Sequence, residues 1–342
     1  MEFGEIIAEN YNRFFGHAKS WTKFAFHFTD ITNAVEILAS HTLYSRDKAI
    51  MSQVMHNDNA SKQVIDLTSS NITNKVRFYF RPLTPTQFHN EGYKHEGVRF
   101  NGEHSANVPV PVFLVFHLED LMKNPDIQFS EMSQAGIGSK ICRTAEEFRQ
   151  FNFTKIYSEG HNENFNEIKK YRHAELLLPG SYNIDDSLAY IVCRNEVERQ
   201  SLLNLLLDKS ITAYSHYIQY IYVSSKRNMF FYNGLYIDSC SYSEGAVIIT
   251  FSDSSQRMQY AMRHSNTSEE LSVSVTVIMK WITAGKVYRK VERQFVIEYI
   301  DCKPLVIKTG IEEKIEYLEV EIYFENALMC DVLLPVKQRT IL

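Results

Sequence analysis

Three polar side chains, His27, Thr29 and Asn33, follow one another at a spacing that could serve one ligand. The stretch 23–28 (KFAFHF) is rich in aromatic residues and predicts a β-strand. His27 and Thr29 are two positions apart and therefore share one face of that strand. Asn33 falls at the start of a predicted helix for which Asp30 is a suitable N-cap. The three side chains could converge on a ligand, and an ordinary polar sheet edge is an equally good interpretation.

A second cluster alternates cations with aromatic rings. Arg77, Tyr79 and Arg81 are spaced by two along a predicted strand, 76–80, which Pro82 ends. Two guanidinium groups and a phenol on one face would suit a phosphate group and a stacked ring. The alternative is an edge strand with a solvated face.

The third cluster is a carboxylate at the entrance to an apolar strand, because Glu175 directly precedes three leucines. An unpaired carboxylate is costly to bury, so we expect Glu175 either at the strand's end in solvent or beside a partner. On its own, an ordinary glutamate at a strand entrance explains the pattern equally well.

The elements that must position these clusters divide the chain into two regions. Up to residue 236, strands alternate with helices; the strands are predicted at 23–28, 76–80, 108–118, 176–179, 188–193 and 218–225, and the helices at 5–16, after Asp30 and at 196–207. Beyond it, helical pattern is nearly absent and strands are predicted at 247–251, 271–281, 286–300, 305–309, 314–324 and 328–336. We therefore predict an α+β domain over residues 1–236 and an all-β, sandwich-like domain over residues 237–342.

Composition excludes several classes of protein. Hydrophobic residues make up 44% and charged residues 23% of the 342 residues, as in soluble globular proteins. The net charge of −5 excludes a broad basic face for nucleic acid, so any such ligand needs a local patch. No apolar run reaches the roughly 18 residues of a membrane helix, and the first residues do not resemble a targeting signal. We expect a cytoplasmic protein that does not bind membranes.

Cysteine and histidine spacing gives no metal signature. The five cysteines lie far apart without a CxxC pair, which argues against a disulfide framework and a structural zinc site. His89, His95 and His104 match no standard ligand spacing and are interpreted as part of a polar loop. The sequence therefore predicts no metal site.

Taken in order, the three clusters resemble the DarT family of DNA ADP-ribosyltransferases over residues 20–236. The resemblance rests on a His-x-Thr-x-x-x-Asn start, a Phe-Tyr-Phe-x-Pro-x-Thr-Pro middle (78–85), and an Ala-Glu pair that opens a hydrophobic strand. It implies an ADP-ribosyltransferase-like split β-sheet with an NAD⁺ cleft. It also implies transfer of ADP-ribose from NAD⁺ to a base of single-stranded DNA, thymine in one branch and guanine in another. Such proteins act as toxins or anti-phage effectors, restrained by a DarG-like macrodomain antitoxin.

The resemblance assigns roles to the clustered residues. Glu175 would be the catalytic carboxylate, which stabilises the oxocarbenium-like ribose and accepts a proton from the base. His27 and Thr29 would hold the nicotinamide end and its ribose. Further contacts to the dinucleotide are assigned to Asn33, to Tyr79 as a cleft residue, and to the arginines Arg46, Arg77 and Arg81. The reaction needs no metal.

One departure concerns the target base. Thymine-directed members are expected to carry an arginine in the polar segment 57–74, where Lys62 is the one cation here. Arg46, Arg77 or Arg81 could replace it, and the absence favours a base other than thymine. The segment 89–107 and the segment before Glu175 are expected to shape base choice, with Tyr93 and Tyr171 as candidate base contacts.

Two other functions remain open on the sequence. An inactive ADP-ribosyltransferase-like scaffold could bind nucleic acid or a protein partner through the C-terminal region. An active transferase could instead modify RNA or protein.

Overall fold

The computed structural model describes residues 2–57, 70–100, 107–134, 139–160, 165–224, 229–264, 271–310 and 315–336. His104 and Lys62 lie outside these ranges. Among the described residues, no helix is both long and apolar enough to cross a membrane.

Helices and strands alternate through the first two thirds of the chain, and strands dominate the rest. The helices are α1 (Phe3–Arg13), α2 (Gly16–Trp21), α3 (Ile31–Ser40), α4 (Arg46–Met51), α5 (Ser70–Thr73), α6 (Pro85–Asn90), α7 (Leu118–Met122), α8 (Ala145–Arg149), α9 (Phe153–Ile156), α10 (Phe165–Tyr171), α11 (Glu196–Lys209), α12 (Ile211–Tyr217) and α13 (Ser254–His264). The strands are β1 (Phe24–Asp30), β2 (Thr42–Tyr44), β3 (Lys75–Tyr79), β4 (Pro111–His117), β5 (Gln128–Ser130), β6 (Glu175–Pro179), β7 (Ser181–Asn183), β8 (Leu188–Cys193), β9 (Ile221–Val223), β10 (Ile237–Ser243), β11 (Ala246–Phe251), β12 (Ser272–Thr283), β13 (Lys286–Glu298), β14 (Leu305–Lys308), β15 (Tyr317–Phe324) and β16 (Ala327–Pro335).

A seven-stranded sheet in the order β5-β6-β3-β1-β4-β8-β9 forms the centre of the N-terminal region. β1 pairs with β4 along its whole length, whereas it meets β3 at the single registered pair Phe26–Tyr79. The sheet is therefore open between β1 and β3. This geometry confirms the predicted α+β class with a split sheet.

Aromatic packing explains why these strands form the core. Phe78 of β3 meets Phe116 of β4 edge to face, with ring centroids 5.1 Å apart. Phe26 and Phe113 pack in the same way at 6.2 Å. Edge-to-face pairs of this kind add stability beyond the area that they bury. Much of the high aromatic content is thus accounted for by the sheet.

The helix that follows β1 is fixed by the predicted cap. The Asp30 carboxylate accepts a hydrogen bond from the Thr32 backbone N–H at 3.1 Å, so Asp30 is the N-cap of α3. At the other end, His41 adopts the left-handed conformation (φ 55°) and its N–H bonds the carbonyls of Ile37 and Leu38. Both ends of α3 are therefore defined by local hydrogen bonds.

The C-terminal region contains a three-stranded sheet, β10-β11-β14, and a four-stranded sheet, β13-β12-β15-β16. Burial alternates along β12 and β15, as predicted from their alternating sequences. Helix α13 was not predicted, because its inward face includes the buried Arg257 and Tyr260 in place of an apolar stripe.

The two regions are joined by polar and aromatic contacts. Asn195 Nδ2 donates to the carbonyl of Ile237 at 2.8 Å, and Asn204 Nδ2 donates to that of Asp331 at 3.0 Å. The Tyr93 ring packs edge to face on Phe324. β10 begins at Ile237, and the division of the chain into domains at residue 236 stays a prediction.

Candidate active site

The register of the sheet places Glu175, Tyr79 and Phe26 side by side. Glu175 is the first residue of β6 and lies opposite Tyr79 of β3, which lies opposite Phe26 of β1. On the other side of β6, Ser130 of β5 is opposite Glu175. Side chains of directly opposed residues leave the sheet on the same face, so Glu175 and Tyr79 are neighbours next to the opening between β1 and β3.

Glu175 is completely buried, and both of its carboxylate oxygens are hydrogen-bonded. Arg77 donates to Oε2 from Nε at 2.7 Å and from Nη2 at 2.6 Å. The backbone N–H of Gln134 donates to Oε1 at 2.8 Å. Of the two environments expected for this residue, the paired one is observed, because the guanidinium offsets the cost of removing the carboxylate from water.

Arg77 is committed to this ion pair. Burial alone would lower the pKa of Arg77, but the Glu175 carboxylate raises it above its ordinary value. The guanidinium is therefore a permanent cation that orients the carboxylate.

His27 connects the two halves of the open sheet. Its Nδ1 lies 3.0 Å from the carbonyl oxygen of Arg77 in β3. Because a carbonyl only accepts, Nδ1 carries the proton and Nε2 is the acceptor of the neutral ring. Burial lowers the pKa of His27, and the bond to Arg77 opposes that shift. The ring is thus neutral near pH 7.

Two further side chains beside the carboxylate are held in one protonation state. Burial raises the pKa of Tyr79; the Arg77 cation opposes this and the Glu175 carboxylate adds to it. His173 lies two residues before Glu175, and burial, followed by the charges of Arg77 and Lys169, lowers its pKa to about 3. Near pH 7, Tyr79 is a protonated phenol and His173 a neutral imidazole.

The side chain of Asn33 is occupied by the chain itself. Its Nδ2 donates to the carbonyl of Asn57 at 2.6 Å, and its Oδ1 accepts from the backbone N–H groups of His56 and Asn57 at 2.8 and 3.2 Å. Thr29 is buried on β1, two residues beyond His27. Asn33 thus anchors the start of the polar segment, and contacts from Asn33 and Thr29 to a dinucleotide stay predictions.

Arg81 does not continue the face formed by Arg77 and Tyr79, so that part of the prediction is wrong. β3 ends at Tyr79, and the Arg81 side chain turns into the protein. Its Nη1 donates to the carbonyls of Ile156 and Ser158 at 3.0 and 2.5 Å. Burial and the charge of Arg172 lower the pKa of Arg81 to about 9. This arginine connects loops of the chain to one another.

The remaining candidates fall outside this constellation. Arg46 is the first residue of α4 and is half-buried, and its role stays a prediction. Tyr93 is 1% exposed and packs against Phe324, so burial overturns its assignment as a base contact. The Tyr171 ring lies 4.8 Å from the Lys155 ammonium group.

Sequence reasoning missed the segment that approaches the second carboxylate oxygen. Gln134 supplies its backbone N–H, and its side chain Nε2 donates to Ser139 Oγ at 2.7 Å. Ser139 Oγ lies 2.8 Å from Ser130 Oγ. The residue types of this segment do not single it out, and the register of β5 on β6 was needed to place it beside Glu175.

At the sheet opening, a carboxylate paired with a guanidinium lies beside the phenol of Tyr79, and the imidazole of His27 bonds across the opening to the Arg77 carbonyl. Such a set can stabilise positive charge on a sugar ring and bind its hydroxyl groups. One family model matches residues 26–231: "ssDNA thymidine ADP-ribosyltransferase, DarT". The chain belongs to the DarT family. The resemblance found in the three motifs is thereby confirmed, and the family is one of ADP-ribosyltransferases.

Solved DarT structures are similar to the chain at low sequence identity. Thermus sp. 2.9 DarT in complex with ADP-ribosylated ssDNA is 15% identical with a TM-score of 0.49, covering 61% of this chain and 96% of that one. The same protein in complex with NAD⁺ is 14% identical with a TM-score of 0.46, and the match covers 61% of this chain and 98% of that one. Thermosipho africanus DarTG in complex with ADP-ribose is 14% identical with a TM-score of 0.45, and the match covers 65% of this chain and 54% of that one. No curated protein matches the sequence.

Proposed function

We propose that the protein transfers ADP-ribose from NAD⁺ to a base of single-stranded DNA. The observation that carries the proposal is the buried Glu175 carboxylate beside Tyr79, held by Arg77 and by the Gln134 N–H at the opening of a split sheet, with His27 bonded across that opening to the Arg77 carbonyl. Membership of the DarT family gives this constellation its reaction class.

Glu175 is the catalytic carboxylate in this proposal. Cleavage of the bond between nicotinamide and ribose places positive charge on the sugar, which a nearby carboxylate stabilises. The same group can accept the proton that the attacking base loses. Arg77 is a positioning residue, because its two donors fix Oε2. Oε1 is held by the single N–H of Gln134, which a ribose hydroxyl group can replace or share.

His27 and Tyr79 hold the nicotinamide end of NAD⁺. The neutral His27 ring accepts a hydrogen bond from a ribose hydroxyl group through Nε2, because its Nδ1 proton is used by the Arg77 carbonyl. Thr29 shares the His27 face of β1 and contributes to the same ribose. Tyr79 packs along the nicotinamide ring. Fixing the sugar in this way lowers the entropic part of the barrier.

Arg46, the first residue of α4, contributes to binding the pyrophosphate in this proposal. Arg77 is paired with Glu175, and the donors of Arg81 reach backbone carbonyls. Arg46 begins a helix close to the end of β2. No metal takes part in this proposal.

The target base has two candidates with different support. The family description names thymidine. The absence of arginine from the segment 57–74 favours a different base, guanine. We also propose a toxin or anti-phage role, with a DarG-like macrodomain antitoxin as partner. Reversal of the DNA mark by such a macrodomain would support that partnership.

Labelled NAD⁺ tests the reaction and the substrate class together. Single-base DNA oligonucleotides, RNA and total protein are incubated with the wild type, with E175Q and with E167Q, a matched change at an exposed glutamate paired with Lys155. We expect labelled single-stranded DNA for the wild type and E167Q, and about a 100- to 1000-fold lower rate for E175Q. Label confined to RNA or protein, or equal labelling by E175Q, contradicts the proposal. Absence of NAD⁺ binding in calorimetry favours the scaffold.

A further inference from the structure

Three potential metal ligands come together at the end of α3, outside the active-site constellation. His41 follows α3, Asp185 lies in a 3₁₀ turn after β7, and His216 lies on α12. One ligand atom from each falls within 4.8 Å of the others. His41 Nδ1 is 2.9 Å from Asp185 Oδ2, and His216 Nε2 is 3.4 Å from Asp185 Oδ1.

A four-coordinate divalent ion sets the separations that these ligand atoms must reach. Zn²⁺ binds imidazole nitrogen and carboxylate oxygen at about 2.0–2.2 Å, which sets neighbouring ligand atoms of a tetrahedron roughly 3.3–3.5 Å apart. The printed contacts of His41 and His216 end on different oxygens of Asp185, so binding an ion requires the side chains to rotate until one Asp185 oxygen and both imidazole nitrogens face it. Two imidazoles and one carboxylate also leave a fourth position for water.

The backbone around the three residues is fixed before any ion binds. His41 is held as the left-handed cap of α3, and its carbonyl accepts from the N–H of Ile184 at 3.0 Å. β2 and β7 pair next to it, with Thr42 opposite Asn183. Two of the three ligands are thus attached to one rigid corner, which lowers the entropic cost of assembling the site.

Tyr217 supplies an outer hydrogen bond of the kind found around metal sites. Its buried hydroxyl donates to Asp185 Oδ1 at 2.6 Å and lies 2.8 Å from His41 Nδ1. Hydrogen-bonded carboxylate ligands are the rule in metal proteins.

We propose that His41, Asp185 and His216 bind one Zn²⁺ ion with a water molecule as the fourth ligand. The ion joins the end of α3 to α12, and α3 begins where β1, the strand of His27, ends. The site therefore stabilises the frame behind the β1 side of the split sheet and takes no part in the transfer. It does not depend on the proposed ADP-ribosyltransferase activity.

Titration of the metal-free full chain with Zn²⁺ and Co²⁺ tests the proposal. We expect one equivalent of Zn²⁺ to bind and to raise the melting temperature. Bound Co²⁺ should give the strong visible absorption of a four-coordinate ion without the near-ultraviolet band of thiolate ligands, which separates this site from the five cysteines.

Variants locate the ion. H216A changes a half-exposed helical side chain, and D185N keeps the shape of its residue; both should lose the one-equivalent binding. H117A, an exposed histidine elsewhere, should keep it, and Y217F should weaken it about 10- to 100-fold. Circular dichroism checks that the variants fold. Absence of binding in the wild type, binding retained by both H216A and D185N, or a thiolate band would each overturn the proposal and leave a hydrogen-bonded cluster.

Discussion

Removing either partner of the Arg77–Glu175 pair should destabilise the protein strongly. Glu175 is 0% exposed and the Arg77 side chain 25% exposed, so each variant leaves a charge with little access to water. Breaking a buried pair from one side costs about 3–5 kcal/mol, because the remaining charge loses its partner. In E175Q, one of the two carboxylate oxygens is replaced by an NH₂ group. That NH₂ group faces either the Arg77 donors or the Gln134 N–H, so one of these hydrogen bonds is lost.

A double-mutant cycle isolates the interaction. In R77Q/E175Q neither charge remains, so the double variant should be more stable than the sum of the single losses by about 2–3 kcal/mol. The assay is the urea midpoint of unfolding, followed by circular dichroism for all four proteins. K123Q is the control, because it removes an exposed pair with Asp120 and should leave the urea midpoint nearly unchanged.

Two results would refute this reasoning. Additive losses within about 0.5 kcal/mol would mean that the two side chains do not interact in solution. Single losses as small as that of K123Q would mean that the carboxylate is hydrated and that Glu175 is not held as described.

Three further predictions follow from individual side chains. R81M should lower the free energy of unfolding by about 3 kcal/mol, because the hydrogen bonds to the carbonyls of Ile156 and Ser158 are lost. The affinity for NAD⁺, measured by calorimetry, should stay unchanged. A loss of NAD⁺ affinity without a loss of stability would instead place Arg81 in the cleft. The pKa of His173 is lowered to about 3 in the folded protein, so between pH 6.5 and 3 the unfolded chain binds a proton that the folded protein does not. The free energy of unfolding therefore decreases as the pH is lowered, by up to about 1.4 kcal/mol per pH unit. H173Q should therefore flatten the pH dependence of the urea midpoint between pH 6.5 and 5, with H117Q at an exposed histidine as the control substitution; equal slopes for the two variants would contradict the lowered pKa of His173. N33A should cost about 1–3 kcal/mol because the backbone groups of His56 and Asn57 lose their partners, and faster proteolysis after residue 57 should accompany it.

The fold was largely accessible from the sequence because period and capping are local signals. Alternating residues predicted β12 and β15, and Asp30 predicted the start of α3. Helix α13 was not predicted because the buried Arg257 interrupts its apolar stripe. The residue types alone do not show that a charged side chain has hydrogen-bond partners in the protein interior.

The candidate site was accessible only in part. The strand positions of Glu175, Tyr79 and His27 followed from the sequence pattern, whereas their roles came from the resemblance and stay predictions. Arg81 was misplaced because β3 ends two residues before it, and strand ends are set by tertiary contacts such as those with Ile156. Gln134 was missed because its role comes from a backbone N–H, which every residue type except proline supplies.

Because β1 and β3 share the single registered pair Phe26–Tyr79, the candidate site lies at the boundary between two half-sheets. One half, β5-β6-β3, carries Glu175 with Arg77, and the other half begins with β1 and carries His27. Each half has its own hydrogen-bonded ladder, so sequence drift in one half leaves the backbone of the other undisturbed. Under the proposed function, substitutions around β5 and β6 can therefore alter the surroundings of Glu175 while β1, which carries His27, keeps its pairing with β4.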